Sequence, residues 1–135
     1  MNVTDPPVRV RRLDTDREDV LAFEVSGHLQ VSDIENIYGL LEGMRQLHPK
    51  IDALLRIRNY EGIDWNALAR DWSLLGRSRA IRHIHRYAII GGPGWIAPII
   101  SLFKPFFSLE MKHFDAGEES EAWEWIGAHE RPVRL

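Results

Sequence analysis

The 135-residue chain has no cysteine. That absence excludes disulfides, thiolate catalysis and cysteine-ligated zinc together, and it fits a reducing, cytoplasmic setting. A strong charge of either sign is also missing. Lys and Arg number 17 against 20 Asp and Glu, a formal net charge of −3, so global charge argues for neither nucleic acid nor an anionic membrane surface. Met1 to Pro7 is polar, with no basic stretch leading into an apolar one, and no signal peptide is expected. No apolar run is both long and unbroken. Ala88 to Phe107 has about the length of a membrane-spanning helix, but Gly91, Gly92, Pro93 and Gly94 interrupt it near its start, and Pro98, Lys104 and Pro105 interrupt it again. No integral membrane span is therefore expected. Walker and Gly-x-Gly-x-x-Gly patterns are absent, as are repeats, linkers and low-complexity segments.

What is present reads as one domain over 1–135, with a core from about 8 to 127. Val8 to Leu13 and Val20 to Ser26 alternate as two strands close enough for an antiparallel hairpin, with Gly27 ending the second. Ser32 and Glu35 form a capping-box pattern ahead of a helix bearing Ile34, Ile37, Tyr38, Leu41 and Met44. Ile51 to Tyr60 reads as a strand. Asp64 is a plausible N-cap for a helix with Trp65, Leu68, Trp72 and Leu75 on one stripe. Ile84 to Ile90 is a strand, Trp95 to Phe103 a short helix, Ser108 to Phe114 a last strand and Glu118 to Ile126 a last helix. Strands alternating with helices predict parallel crossovers. Several strands also keep a polar face: Arg9 and Arg11, Arg56 and Arg58, Glu110 and Lys112. The expected architecture is α/β: a mixed five-stranded sheet with an N-terminal antiparallel hairpin and helices mainly on one face. The other face is expected to be partly open to solvent or to a second subunit.

Gly27 with Ser32-Asp33 opening a helix, Asn59-Tyr60-Glu61-Gly62 closing a strand, Arg86 to Gly91 with Trp95 just beyond, and Phe114 followed by Glu121 to Ile126 occur here in a characteristic order. In these motifs, over roughly Val20 to Gly127, the chain resembles the SpoIIAA-like family, within the wider STAS (sulfate transporter and anti-sigma-factor antagonist) and Sec14-type fold group. The resemblance implies the mixed sheet just described in a small cytoplasmic bacterial protein, of a family whose members mostly lack an assigned biochemical role. The antagonists of that group carry a phosphorylatable serine where the third strand meets the next helix. The matching switch-loop position here is Glu61, Gly62, Ile63 and Asp64, without a hydroxyl, and Ser73 falls two turns later. A phosphorylation switch is not implied, although the acids leave the loop phospho-like.

Other candidate chemistry is thin. His83 and His85, with His113 on a later strand, offer imidazoles, but no carboxylate is fixed beside them and no metal is expected. Arg77, Arg79, Arg82 and Arg86 form a basic cluster that reads as a solvated helix end, and it lacks the interleaved aromatics of a nucleic-acid surface. Asp64 and Glu61 have no nucleophile placed beside them. Gly91, Gly92 and Gly94 lie between strand and helix, where phosphates bind, but Pro93 removes one N–H from the cradle. No catalytic residue and no cofactor are assigned.

The segment from Trp95 to Phe107 stands apart. Trp95, Ile96, Ile99, Ile100 and Phe103 leave its helix almost no polar side, and Phe106 and Phe107 extend it. These seven residues are the candidates for a binding site or interface. The expected role is a non-catalytic STAS-like regulatory module that binds protein, a homodimer with a possible regulatory partner. The alternative is a carrier or sensor of a lipid or other small apolar molecule, by analogy with the Sec14-type relatives. A cavity under that helix would distinguish the second from the first.

Overall fold

A computed structural model of the chain describes residues 9–63, 84–103 and 109–131. The helix expected after Asp64, the basic residues Arg77, Arg79 and Arg82, and His83 lie outside those residues, as do Phe106 and Phe107. The elements run β1 (Val10–Leu13), β2 (Val20–Leu29), α1 (Val31–Leu47), β3 (Ile51–Ile63), β4 (Ile84–Gly91), α2 (Ile96–Phe103), β5 (Glu110–Phe114), a single 3-10 turn (Ala116–Glu118) and α3 (Glu119–Ile126). They form a five-stranded sheet in simple sequential order, β1-β2-β3-β4-β5. β1 pairs antiparallel with β2, and every later pairing is parallel.

Sequential parallel order decides where the helices go. Right-handed crossovers that all step the same way along a sheet fall on the same face. α1 and α2 accordingly share the face that carries Leu21, Phe23 and Val25 of β2. After β5 the chain is free to turn under the sheet, and α3 packs on the opposite face. There Trp123 and Ile126 close a core with Leu13, Val20, Ala22, Leu54, Ala88, Ile90 and Phe114. The polar face that the strand patterns predict as partly open is thus roofed by α3 and the chain that follows it. The C-terminal segment returns to the β1–β2 turn through a bridge between Thr15 and Glu130 and a hydrogen bond from the Arg131 N–H to the Asp14 carbonyl at 2.8 Å.

Some boundaries differ from those expected, for local reasons. α1 starts earlier, because the Asp33 carboxylate rather than Glu35 accepts the free N–H of Gln30 at 2.8 Å, and Arg9, just before β1, holds that carboxylate at 3.0 Å. Gly27 does not end β2. Its φ of +77° absorbs an irregularity, and the strand continues to Leu29. β3 likewise runs on to Ile63, so Glu61, Gly62 and Ile63 are strand rather than loop, with Gly62 opposite His28 and Ile63 opposite Leu29. Of the switch-loop position, only Asp64 lies outside the described residues.

Candidate functional site

A cavity of about 350 Å³ lies between the sheet and the pair α1 and α2. Its floor is the apolar face of the parallel strands: Val25 and Leu29 of β2, Leu55, Ile57, Tyr60 and Ile63 of β3, and Ile84, Tyr87 and Ile89 of β4. Ile37, Tyr38 and Leu41 of α1 wall one side, Leu109 and Met111 the far edge, and Trp95 and Ile96 stand at the start of α2. The volume falls at the small end of ligand pockets.

Simple alternation along a strand would not build this lining. Ile57 and Tyr60 are three residues apart, yet both face the cavity, because β3 carries one extra residue there: Val25 pairs with Ile57, while Gly27 pairs with Tyr60. Asn59 takes the left-handed conformation at φ 49°, which asparagine tolerates better than most residues. A second bulge in β4 does the same for Ile84 and Tyr87, which pair with Ile51 and Ala53. The backbone N–H of Arg86 at that bulge donates to the buried Asp52 carboxylate at 3.1 Å. The two bulges thus turn Tyr60 and Ile84 toward the cavity, where a period-two pattern continued from Ile57 and from Tyr87 would turn them away.

The roof depends on glycine. Gly91 and Gly92 sit at φ +77° and +85°; a Cβ on Gly91 would lie 2.8 Å from the Ile57 carbonyl oxygen, and one on Gly92 would lie 2.6 Å from Ile96 Cδ1. The glycine turn is used for close packing of α2 over β3, not as a phosphate cradle. Ile96 and Ile100 face inward, and Ile100 is buried. Trp95 lines the cavity and also reaches solvent, and it meets Tyr60 edge-on at 6.2 Å. Ile99 and Leu102 point outward and are 42% and 65% exposed. The sequence candidates therefore divide: Trp95 and Ile96 belong to the cavity, Ile100 to the packing beneath the helix and Ile99 to its surface. The Phe103 side chain, like Phe106 and Phe107, lies outside the described residues. Tyr38, Tyr60 and Tyr87 were not among the candidates. Tyr38 belongs to the apolar stripe of α1 and Tyr87 alternates with Ile89 on β4, while Tyr60 stands beside a strand irregularity that needs the register to be seen.

Tyr38 and Tyr87 are partly buried. Burial pushes the Tyr38 hydroxyl up to about 12, and burial, with a smaller contribution from Tyr38, raises Tyr87 further. Both phenols therefore keep their protons.

The opposite face holds a charged cluster. Arg56, buried on β3, donates to Glu119 Oε2 at 2.6 Å and Glu130 Oε1 at 2.8 Å, with Glu24 Oε2 at 3.5 Å. Arg58 reaches Glu24 at 2.9 Å, and Arg11 also pairs with Glu24. Desolvation pulls Glu24 and Glu119 upward, but the arginines outweigh it and both carboxyls end below their ordinary range. A carboxyl held lower in the folded than in the unfolded state contributes stability above its unfolded value and loses it as pH falls through the folded one. The melting temperature should hold near neutrality and fall progressively below about pH 4.5. A thermal-melt series from pH 7 to pH 3 measures this, and a flat profile would remove the cluster from the stability of the fold.

The remaining candidates are separated. His113 contacts the Gly91 carbonyl oxygen at 2.9 Å, while His85 sits beside Asp52 at 3.4 Å at the other end of β4. Arg86 is engaged by the Trp125 carbonyl at 2.8 Å and lies over the Trp125 ring at 5.2 Å. Among the described residues no cluster of three His, Asp or Glu is arranged for a metal ion, and no helix is long and apolar enough to cross a membrane.

A family model described as SpoIIAA-like matches residues 20–127. Among solved structures, the fold is similar to the crystal structure of an uncharacterized protein with a SpoIIAA-like fold from Shewanella loihica PV-4. The TM-score is 0.63 at 25% identity, covering 93% of this chain and 99% of that one. No curated protein matches the chain.

Proposed function

This chain belongs to the SpoIIAA-like family, and on that footing we propose that it is a non-catalytic, cytoplasmic STAS-like domain that carries or senses a small apolar molecule. The observation that carries the reading is the cavity of about 350 Å³ beneath α2, floored by strand residues turned inward at two bulges. An enzyme would need a nucleophile and a base converging on the same space. The described lining offers phenols, an indole and aliphatic groups instead. Native mass spectrometry of the protein purified from its own cells tests the reading. The expected result is an added mass of a few hundred daltons, about what such a cavity holds, that survives gentle ionisation and leaves on denaturation. A bare polypeptide mass under the same conditions would count against it.

A second reading, a homodimer or a module for a regulatory protein partner, is favoured by the outer side of the same helix, where Trp95, Ile99 and Leu102 are exposed. Side chains of this kind contribute about 1.5–3 kcal/mol each when buried. Under this reading Ile99→Glu converts dimer into soluble monomer, read by light scattering after size exclusion, as does a charge at Phe103. A dimer unchanged by either substitution would place the contact elsewhere.

A further inference from the structure

We propose that Tyr38 and Tyr87 set the class of ligand: a neutral, mostly apolar molecule bearing one carbonyl-type acceptor, such as an ester or ketone, held by the two phenol hydroxyls. The inference rests on the carrier reading above and narrows it. Tyr38 enters from α1 and Tyr87 from β4, beside the central strand, so helix and sheet each contribute one tyrosine to the lining of the same cavity. Both tyrosines line that one cavity, and among the described residues no hydrogen bond reaches either hydroxyl. An apolar ligand that displaces water from such an O–H leaves it unpaired, whereas a ligand that supplies an acceptor keeps it paired. A carbonyl oxygen has two lone pairs and accepts from both at once.

The lining also decides against a charged head group. Among the described lining residues there is no Lys, Arg or His to neutralise an anion, and no Asp or Glu to neutralise a cation. Moving a carboxylate into such a space without a counter-charge is far more costly than moving a carbonyl. A pure hydrocarbon would fill the apolar volume but leave both hydroxyls unsatisfied. The ester or ketone satisfies both requirements.

The test compares three probes of similar length, methyl decanoate, dodecane and decanoate, each displacing an apolar fluorescent reporter from the intact protein. Methyl decanoate is expected to bind about tenfold more tightly than dodecane, the difference of one good hydrogen-bonded acceptor, with decanoate weakest. Tyr38→Phe/Tyr87→Phe keeps both rings and should erase the preference for the ester while leaving dodecane bound. Should the double variant fail to fold, each single variant is expected to lose about threefold in ester affinity. Equal binding of ester and hydrocarbon, an ester preference that survives the phenylalanines, or tighter binding of decanoate than of the ester would each overturn the proposal and leave the carrier reading standing. Failure of the reporter and of all three probes to bind would overturn the carrier reading itself.

Discussion

Replacing Arg56 with alanine is expected to destabilise the protein by about 3 kcal/mol, the lower end of the range for breaking a buried ion pair. The guanidinium is 6% exposed and faces Glu119, Glu130 and Glu24, which come from α3, the C-terminal segment and β2. Removing it leaves three carboxylates converging on one place, with Arg58 and Arg11 neutralising Glu24 and Arg58 reaching Glu119 at 3.5 Å. The lower end applies because Glu119 and Glu130 retain some contact with water. In a domain of this size the change corresponds to a fall in melting temperature on the order of 10 °C. Arg56→Met separates the two components of the loss: it restores most of the volume and none of the charge. If the charge dominates, Arg56→Met is nearly as unstable as Arg56→Ala at pH 7, and the deficit narrows in acid, as protonation removes the uncompensated negative charge. A deficit that does not change with pH would identify packing as the cause.

Leu55→Trp is expected to abolish binding of apolar probes with little loss of stability, whereas Leu54→Trp should unfold the protein or nearly so. The two leucines are adjacent on β3 and face opposite ways. Leu54 is 1% exposed in the core closed by α3, with Trp123 and Phe114 among its neighbours. Added volume there forces strain, typically about 1–3 kcal/mol and more in a tight site. Leu55 lines the cavity of about 350 Å³, which accepts an indole without displacing its neighbours. Thermal melts together with probe titration read both effects. Equal destabilisation by the two substitutions would mean that the space beside Leu55 is not available to a ligand.

The order of strands and helices was legible because each strand carries its own local signal: alternation from Val20 to Ser26, a continuous apolar run from Ala88 to Ile90, and breakers at Gly91 to Gly94. Helix starts were less legible. Two overlapping pairs at the right spacing compete, Gln30 with Asp33 and Ser32 with Glu35, and the salt bridge from Arg9, more than twenty residues away, accompanies the first. The cavity was half legible. The apolar character of Trp95 to Phe103 marked the roof, while Tyr60 beneath it depended on a bulge whose register no local pattern announces.

Composition and periodicity by themselves determined an α/β domain, a mixed sheet opened by an antiparallel hairpin, and an unusually apolar helix after β4, since each follows from interactions between residues close in the chain. Only the tertiary structure decided that Arg56, Glu24, Glu119 and Glu130 meet on one face, that α3 covers the side the strand patterns left open, and that Tyr38 and Tyr87 share a cavity. The physical reason is the same in each case. These contacts join residues tens of positions apart, and which of them form is set by strand register. One residue of slip there turns a side chain from the core to the opposite face.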